Sequence, residues 1–162
     1  MNDLIANFRM PRYNEIPNVG LYLEQTTKYI NECLAPLEVS ITPSMLSNYV
    51  KQGYISRPIK KQYYADQIAY LLFVVLAKQV LSMDNIAALF KLQQETYTLE
   101  EAYRFFCDEL EGMLQYIFEG KNELRTVADE DPFAKKTLRS VVIAISEIIY
   151  LSRCFKKLSQ KD

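Results

Sequence analysis

Residues 41–64 read ITPSMLSNYVKQGYISRPIKKQYY, a stretch with four basic side chains and no acidic one. Thr42 is a favourable helix N-cap, because its side-chain oxygen can accept a hydrogen bond from an amide of the first turn. Pro43 suits the first helical position, and Gly53 suits the left-handed residue that ends a helix. The stretch therefore predicts a short capped helix that ends before residue 53.

The predicted helix has two faces. Leu46, Tyr49 and Val50 recur at helical spacing and predict contact with a core. The other face carries a polar stripe, formed by Ser44, Ser47, Asn48 and Lys51.

A wing segment, residues 54–64, follows the helix. Pro58 predicts a turn, and the flanking residues predict two short strands with Arg57, Lys60 and Lys61 near the tip. A capped helix with a polar face next to a basic wing is typical of DNA-binding proteins, in which the helix enters the major groove and basic groups hold phosphates.

The same residues carry a resemblance to a known family. The pattern resembles the head of MerR-type winged-helix regulators through Thr42-Pro43-Ser44-Met45-Leu46, Tyr49, Gly53-Tyr54-Ile55, Pro58, Tyr64 and Asp66. A wider string over residues 21–25, 42–51 and 58–64 resembles an uncharacterised bacterial family of unknown function with a MerR-like head, over roughly residues 1–92. The sequence departs from the MerR pattern at Ser47 and Gln62, where those regulators usually carry arginine.

The resemblance and the residue pattern together predict a mainly α-helical protein. A winged helix-turn-helix (MerR-like) head with an N-terminal arm would occupy residues 1–92, and a helical hairpin for dimerisation or sensing would occupy residues 93–162. The predicted DNA-binding residues are Ser44, Ser47, Asn48, Lys51, Arg57, Lys60, Lys61 and Tyr63.

Length and charge are compatible with this organisation. With 162 residues, of which 49% are apolar, the chain can form one domain or two small ones that share a core. The net charge is −1, with nine basic and seven acidic side chains in residues 1–92 against ten and thirteen in residues 93–162. Basic charge is therefore concentrated in residues 41–64.

Further helices are predicted on both sides of this stretch. They cover residues 21–34, 66–81, 83–94, 99–119 and 132–158, with N-caps at Ser82, Thr98 and Asp131 and a polar loop over residues 121–131. The helix 66–81 is apolar on every side between residues 68 and 77, which predicts a central position.

The N-terminal residues 1–19 show no helical period. We expect an extended arm that packs through Phe8, Met10, Tyr13 and Ile16. Alternatively, Arg9 and Arg12 would reach a DNA minor groove.

The helix 132–158 carries more apolar surface than one neighbour can bury. An antiparallel partner, residues 99–119, would cover one side, and the rest would pack on the third helix, on a second copy of the chain, or on both. The predicted dimerisation residues are Leu138, Val141, Ile145, Ile148 and Phe155.

Several kinds of chemistry lack the residues they need. The chain has no histidine and only four glycines, none of them in a phosphate-binding loop, so we expect no enzyme activity, no cofactor and no metal site. The acidic residues are expected to form solvated faces rather than metal or catalytic sites. Cys33, Cys107 and Cys154 favour core packing over redox chemistry, and with no signal-peptide pattern they indicate a reducing cytoplasm. The longest apolar run, residues 68–77, is too short to cross a bilayer, so no membrane partner is expected.

Two functions remain. The first is a transcriptional regulator that binds double-stranded DNA as a homodimer, and the alternative is a protein-interaction module that keeps the fold without strong DNA binding. Aromatic residues at helical spacing form either core or a pocket for a small-molecule effector, and they are Tyr97, Tyr103, Phe106, Tyr116 and Phe118.

Overall fold

The computed structural model describes residues 2–120 and 131–161, and the polar loop predicted over residues 121–131 lies, except for Asp131, outside the described residues. The described residues are mainly helical and contain no extended strand. Two short 3-10 turns cover Tyr13–Glu15 and Ala35–Leu37. The described ranges form seven α-helices, α1 (Asn2–Ala6), α2 (Leu23–Leu34), α3 (Pro43–Lys51), α4 (Ala65–Ala77), α5 (Met83–Thr96), α6 (Leu99–Glu119) and α7 (Phe133–Ser159).

The central helix is α4, as its apolar surface predicted. Ten of its thirteen residues are buried, because it contacts α2 on one side and α6 and α7 on the other. It ends at Ala77, four residues earlier than predicted, and Lys78 is its C-cap. Buried side chains of all the longer helices join in one apolar core, and the predicted domain boundary at residue 92 falls within α5.

The N-terminal segment packs on α6 and is partly helical. The short helix α1 was not predicted, but the packing of the segment is confirmed, because Phe8, Met10 and Ile16 are buried. The guanidinium of Arg12 lies 2.8 Å from the carboxylate of Glu111 in α6. Because the guanidinium of Arg12 is held in this ion pair, the alternative in which Arg12 enters a DNA groove is not supported.

The N-caps of α5 and α6 are confirmed. Ser82 accepts a hydrogen bond of 3.1 Å from the amide of Asn85, and Thr98 accepts one of 3.2 Å from the amide of Glu101. The start of α7 differs from the prediction. Pro132 is the N-cap, and the carboxylate of Asp131 lies 3.3 Å from the ammonium group of Lys135.

The helices α6 and α7 run parallel, so the predicted antiparallel hairpin is wrong. Lys135 lies over the ring of Phe105, Arg139 pairs with Glu109, and Tyr150 packs against Phe118, so contacts advance along both helices in the same direction.

Most of the predicted dimerisation residues belong to the core of this chain. Leu138, Val141 and Ile145 are buried, and Ile148 is half-buried against the core. Only Phe155 is well exposed, at 65%. The prediction failed for the buried three because α7 packs on α4 and α5 as well as α6 and so covers most of its apolar seam within one chain.

Candidate nucleic-acid interface

Helix α3 is held at both ends as the sequence predicted. The side chain of Thr42 accepts a hydrogen bond of 3.1 Å from the amide of Met45, Pro43 opens the helix, and Gly53 follows it with a φ of +81°. Leu46 is fully buried, so the apolar face is fixed on the core.

Asn31 of α2 also positions α3, and nothing in the sequence pattern indicated this role. Its amide accepts a hydrogen bond of 2.8 Å from the backbone N–H of Ile41 and donates one of 2.9 Å to the Ile41 carbonyl. Both backbone polar groups of Ile41, just before α3, are therefore hydrogen-bonded to a side chain of α2.

The polar stripe of α3 points away from the core. Ser44, Asn48 and Lys51 are exposed, and Ser47 is half-buried. Within the described part of the chain, none of these four side chains has a hydrogen bond or ion pair.

The side chain of Lys78 contacts two residues of α3. The ammonium group of Lys78 lies 3.8 Å from the sulfur of Met45 and 5.9 Å from the centre of the Tyr49 ring. Burial lowers the pKa of Lys78, because the charged form loses hydration there. Sequence reasoning missed this contact, since it joins residues 33 positions apart.

The wing segment is a minimal hairpin, and the two predicted strands are absent from it. Ile59 and Gln62 exchange backbone hydrogen bonds of 3.0 and 2.9 Å, and between them Lys60 and Lys61 have φ values of 50° and 67°. Two positive φ values in a two-residue loop are typical of a type I′ turn, which favours Asn-Gly rather than lysine. Pairing stops after single bridges because the backbone of Tyr63 bonds to Leu21 instead and the amide of Tyr64 donates to the side chain of Gln67.

Tyr63 is wrongly predicted as a DNA contact. Its side chain is 3% exposed and packs in the core, which raises its pKa, while its backbone pairs with Leu21 at 2.7 and 2.9 Å. Its neighbours Gln62 and Tyr64 are less buried, as expected for an extended segment in which successive side chains alternate between faces.

Arg57 precedes the turn and is exposed. The side-chain amide of Gln67 donates to the carbonyl of Arg57 at 3.1 Å and to that of Ser56 at 3.2 Å, which holds the backbone before the turn on α4. Gly20 has a φ of +88°, which favours glycine, and a Cβ there would lie 3.0 Å from the side chain of Gln62.

Four of the eight predicted residues line one open groove of about 710 Å³. They are Ser47, Lys51, Lys61 and Tyr63, whereas Ser44, Asn48, Arg57 and Lys60 are not among its lining residues. The first turn of α2 forms the opposite wall and adds residues that sequence reasoning missed, namely Tyr22, Leu23, Glu24 and Gln25. Tyr22 is 53% exposed, and Glu24 places one carboxylate beside the basic groups.

The basic side chains of this surface differ from three arginines elsewhere in the chain. Arg12, Arg139 and Arg153 form ion pairs with carboxylates. The four basic side chains of residues 41–64 are exposed and have no ion pair with any described residue. The surface therefore presents unpaired positive charge from both α3 and the wing segment.

The described residues show neither a metal site nor a membrane span. They contain no group of three or more acidic or cysteine side chains arranged to hold a metal ion. None of the helices among them combines the length and the continuous apolar character that crossing a bilayer requires.

The fold places the chain among small α-helical proteins with an exposed basic surface. These features do not by themselves indicate one activity. The chain belongs to the family described as Domain of unknown function (DUF1836), whose model matches residues 11–106. That region extends from the N-terminal segment to the first part of α6 and includes the whole basic surface. No curated protein and no solved structure matches the chain.

Proposed function

We propose that this protein is a DNA-binding transcriptional regulator with a MerR-like winged head, and that it acts by binding rather than by catalysis. The observation that carries the proposal is the set of four exposed basic side chains without a carboxylate partner among the described residues, placed on α3 and on the turn beside it. Unpaired lysine and arginine groups on one surface favour the phosphates of a duplex.

In this proposal α3 lies in the major groove. Asn48 is exposed at its centre, and a side-chain amide can pair with both hydrogen-bonding groups of an adenine edge. Lys51 lies one turn further along and would contact a base or a phosphate, while Ser44 and Ser47 flank Asn48 on the same face.

The wing segment would hold the backbone of the duplex. Lys60 and Lys61 sit at the tip of a turn whose positive φ values cost free energy, and such strain is typically kept where it serves a function. Arg57 adds a third cation close to the turn. These contacts would position the protein without reading sequence.

One observation favours the alternative function. Glu24 places a carboxylate in the groove beside Lys51 and Lys61, and Tyr22 opposite them is exposed. An aromatic ring with mixed charges suits a protein partner better than a polyanion. A protein-interaction module is therefore the second candidate.

We further propose that the regulator is a homodimer formed through α7. The exposed face of this helix carries a largely exposed apolar stripe, and of the residues predicted from sequence this stripe keeps Phe155. DNA-binding proteins with a helix-turn-helix typically bind repeated half-sites as two-fold dimers. The stripe consists of Ile143, Tyr150, Leu151, Phe155 and Leu158.

Fluorescence anisotropy titrations with DNA at two salt concentrations test the proposal. Replacing Lys60 and Lys61 with alanine should weaken binding to all DNA about equally and reduce the salt slope by about two. Asn48→Ala should cost about 1–3 kcal/mol on the preferred site and little on random DNA. Asn14→Ala, which removes an exposed amide from the N-terminal segment, is the control. Wild-type binding to DNA that does not respond to salt, or no binding at all, would favour the interaction module.

A further inference from the structure

A small apolar cavity lies between α4, α5 and α6. Its volume is about 50 Å³, and aromatic rings form much of its wall, including those of Tyr70, Phe73, Phe90, Tyr103 and Phe106. Of the aromatic residues predicted to line an effector pocket, Tyr97, Tyr103 and Phe106 do so. Tyr116 and Phe118 are not among the lining residues, and the ring of Phe118 packs on Tyr150.

A second, more polar cavity of about 280 Å³ adjoins the first. The two share Gln93, Tyr97 and Ala102. The second cavity is lined by charged side chains of both signs, Glu101, Arg104, Asp108 and Lys135.

Gln93 stands at the boundary between the two cavities. It is 6% exposed, and its Nε2 donates a hydrogen bond of 2.7 Å to the carbonyl of Ala134. That bond fixes the orientation of the amide, because only the nitrogen can donate to a carbonyl. The Oε1 atom is buried and has no hydrogen-bond partner in the described part of the chain.

A buried acceptor without a donor is costly, because it has lost hydration and gained nothing in return. Native proteins satisfy nearly all such atoms. Gln93 nevertheless lines both cavities, one of them lined mainly by apolar atoms. An arrangement of this kind is typical of a pocket that binds a small molecule through one directed hydrogen bond.

We propose that the joined cavities bind a small molecule that has a short alkyl group and, next to it, an O–H or N–H donor. The alkyl group occupies the apolar cavity, the donor bonds to Oε1 of Gln93, and any polar remainder extends into the second cavity. The size of the apolar cavity sets the limit, because a cavity of roughly 150 Å³ holds benzene and this one has about a third of that volume. An alkyl group of one or two carbon atoms fits, and an aromatic ring does not.

The test compares two probes, of which only the first carries a donor. The first is ethanol, and the second is its methyl ether, which keeps the alkyl group and the oxygen atom but has no O–H. Titrations followed by ¹H–¹⁵N NMR should show saturable shifts at Gln93, Tyr97 and Ala102 with the alcohol, and at least tenfold weaker binding of the ether. No DNA is present, so the result is independent of the proposed DNA binding.

Gln93→Leu should remove the preference for the alcohol, so that both probes bind alike. This variant is expected to fold, since it removes an unsatisfied acceptor and keeps the volume apolar. Gln52→Leu, which replaces an exposed glutamine at the end of α3, should keep the preference. If Gln93→Leu fails to fold, the wild-type comparison of alcohol and ether still decides. Equal binding of both probes to the wild type, or no saturable shift with the alcohol, would overturn the proposal.

Discussion

The guanidinium of Arg139 on α7 lies 3.5 Å from the carboxylate of Glu109 on α6, and both side chains are 11% exposed. This ion pair lies between two other contacts of α6 with α7, and with them it defines the parallel direction of the helices. Removing one partner of a buried ion pair strongly destabilises the fold, because the other charge stays buried and uncompensated.

We therefore expect Glu109→Gln to lower the free energy of unfolding by about 3 kcal/mol, since the Arg139 charge would stay buried without a counter-charge. Urea denaturation measures the change. Glu15→Gln is the matched control, because the pair of Arg9 with Glu15 is exposed and should contribute less than about 1 kcal/mol. Equal effects of the two substitutions would show that the Arg139–Glu109 pair has no special role.

Replacing Lys60 and Lys61 in the turn should have opposite effects on stability and on DNA binding. Lys60→Asn with Lys61→Gly installs the residues that a type I′ turn favours, so stability should rise by about 1 kcal/mol. The same variant loses two cations from the proposed DNA surface, so its affinity for DNA should fall. Lys157→Asn with Lys161→Gly removes two exposed lysines from the C-terminal end and should leave DNA binding unchanged. A variant that gains stability and keeps the full affinity contradicts the role assigned to the turn.

The exposed stripe of α7 should control assembly without controlling the fold. Leu151→Glu with Phe155→Glu places charges in the proposed dimer surface, so sedimentation should show a monomer with unchanged circular dichroism. Ile145→Glu should instead unfold the chain, because Ile145 is fully buried. Val19→Glu changes an exposed apolar residue outside the stripe and serves as the control. A wild-type protein that sediments as a monomer at high concentration rejects the dimer.

Lys78 should make stability depend on pH in the alkaline range. Its folded-state pKa is below the ordinary value of 10.5, so the unfolded chain binds the proton more tightly than the folded one. Stability contributed by this residue should therefore rise with pH between the lowered folded value and 10.5. Lys78→Met should be more stable than wild type at about pH 7, and the difference should shrink towards about pH 10. Thermal unfolding at several pH values measures this. A constant difference across the range would mean that desolvation of the ammonium group is not the cause.

Features set by neighbouring residues were predictable from the sequence. The caps at Thr42, Ser82 and Thr98 and the stop at Gly53 are confirmed, because each depends on a hydrogen bond or a φ value within a few residues. The central position of α4 is also confirmed, since a helix that is apolar on every side has no surface to expose. The role of the polar stripe of α3 in DNA binding stays a prediction.

Long-range features were not predictable in the same way. Asn31 and Ile41, Lys78 and Tyr49, and Gln93 and Ala134 meet only after the helices pack, and no spacing in the sequence indicates them. Tyr63 shows the same limit, since its backbone pairs with Leu21, a residue far away in the sequence.

The sequence by itself therefore determined the helices, most of their ends and the concentration of basic charge at residues 41–64. Only the tertiary structure decided that α7 runs parallel to α6, which of its apolar residues are buried, and that the Gln93 carbonyl is left without a donor. The physical reason is that helix ends depend on local hydrogen bonds and backbone angles. Helix direction and burial depend on which surfaces meet, and an apolar seam packs equally well on a partner of either direction.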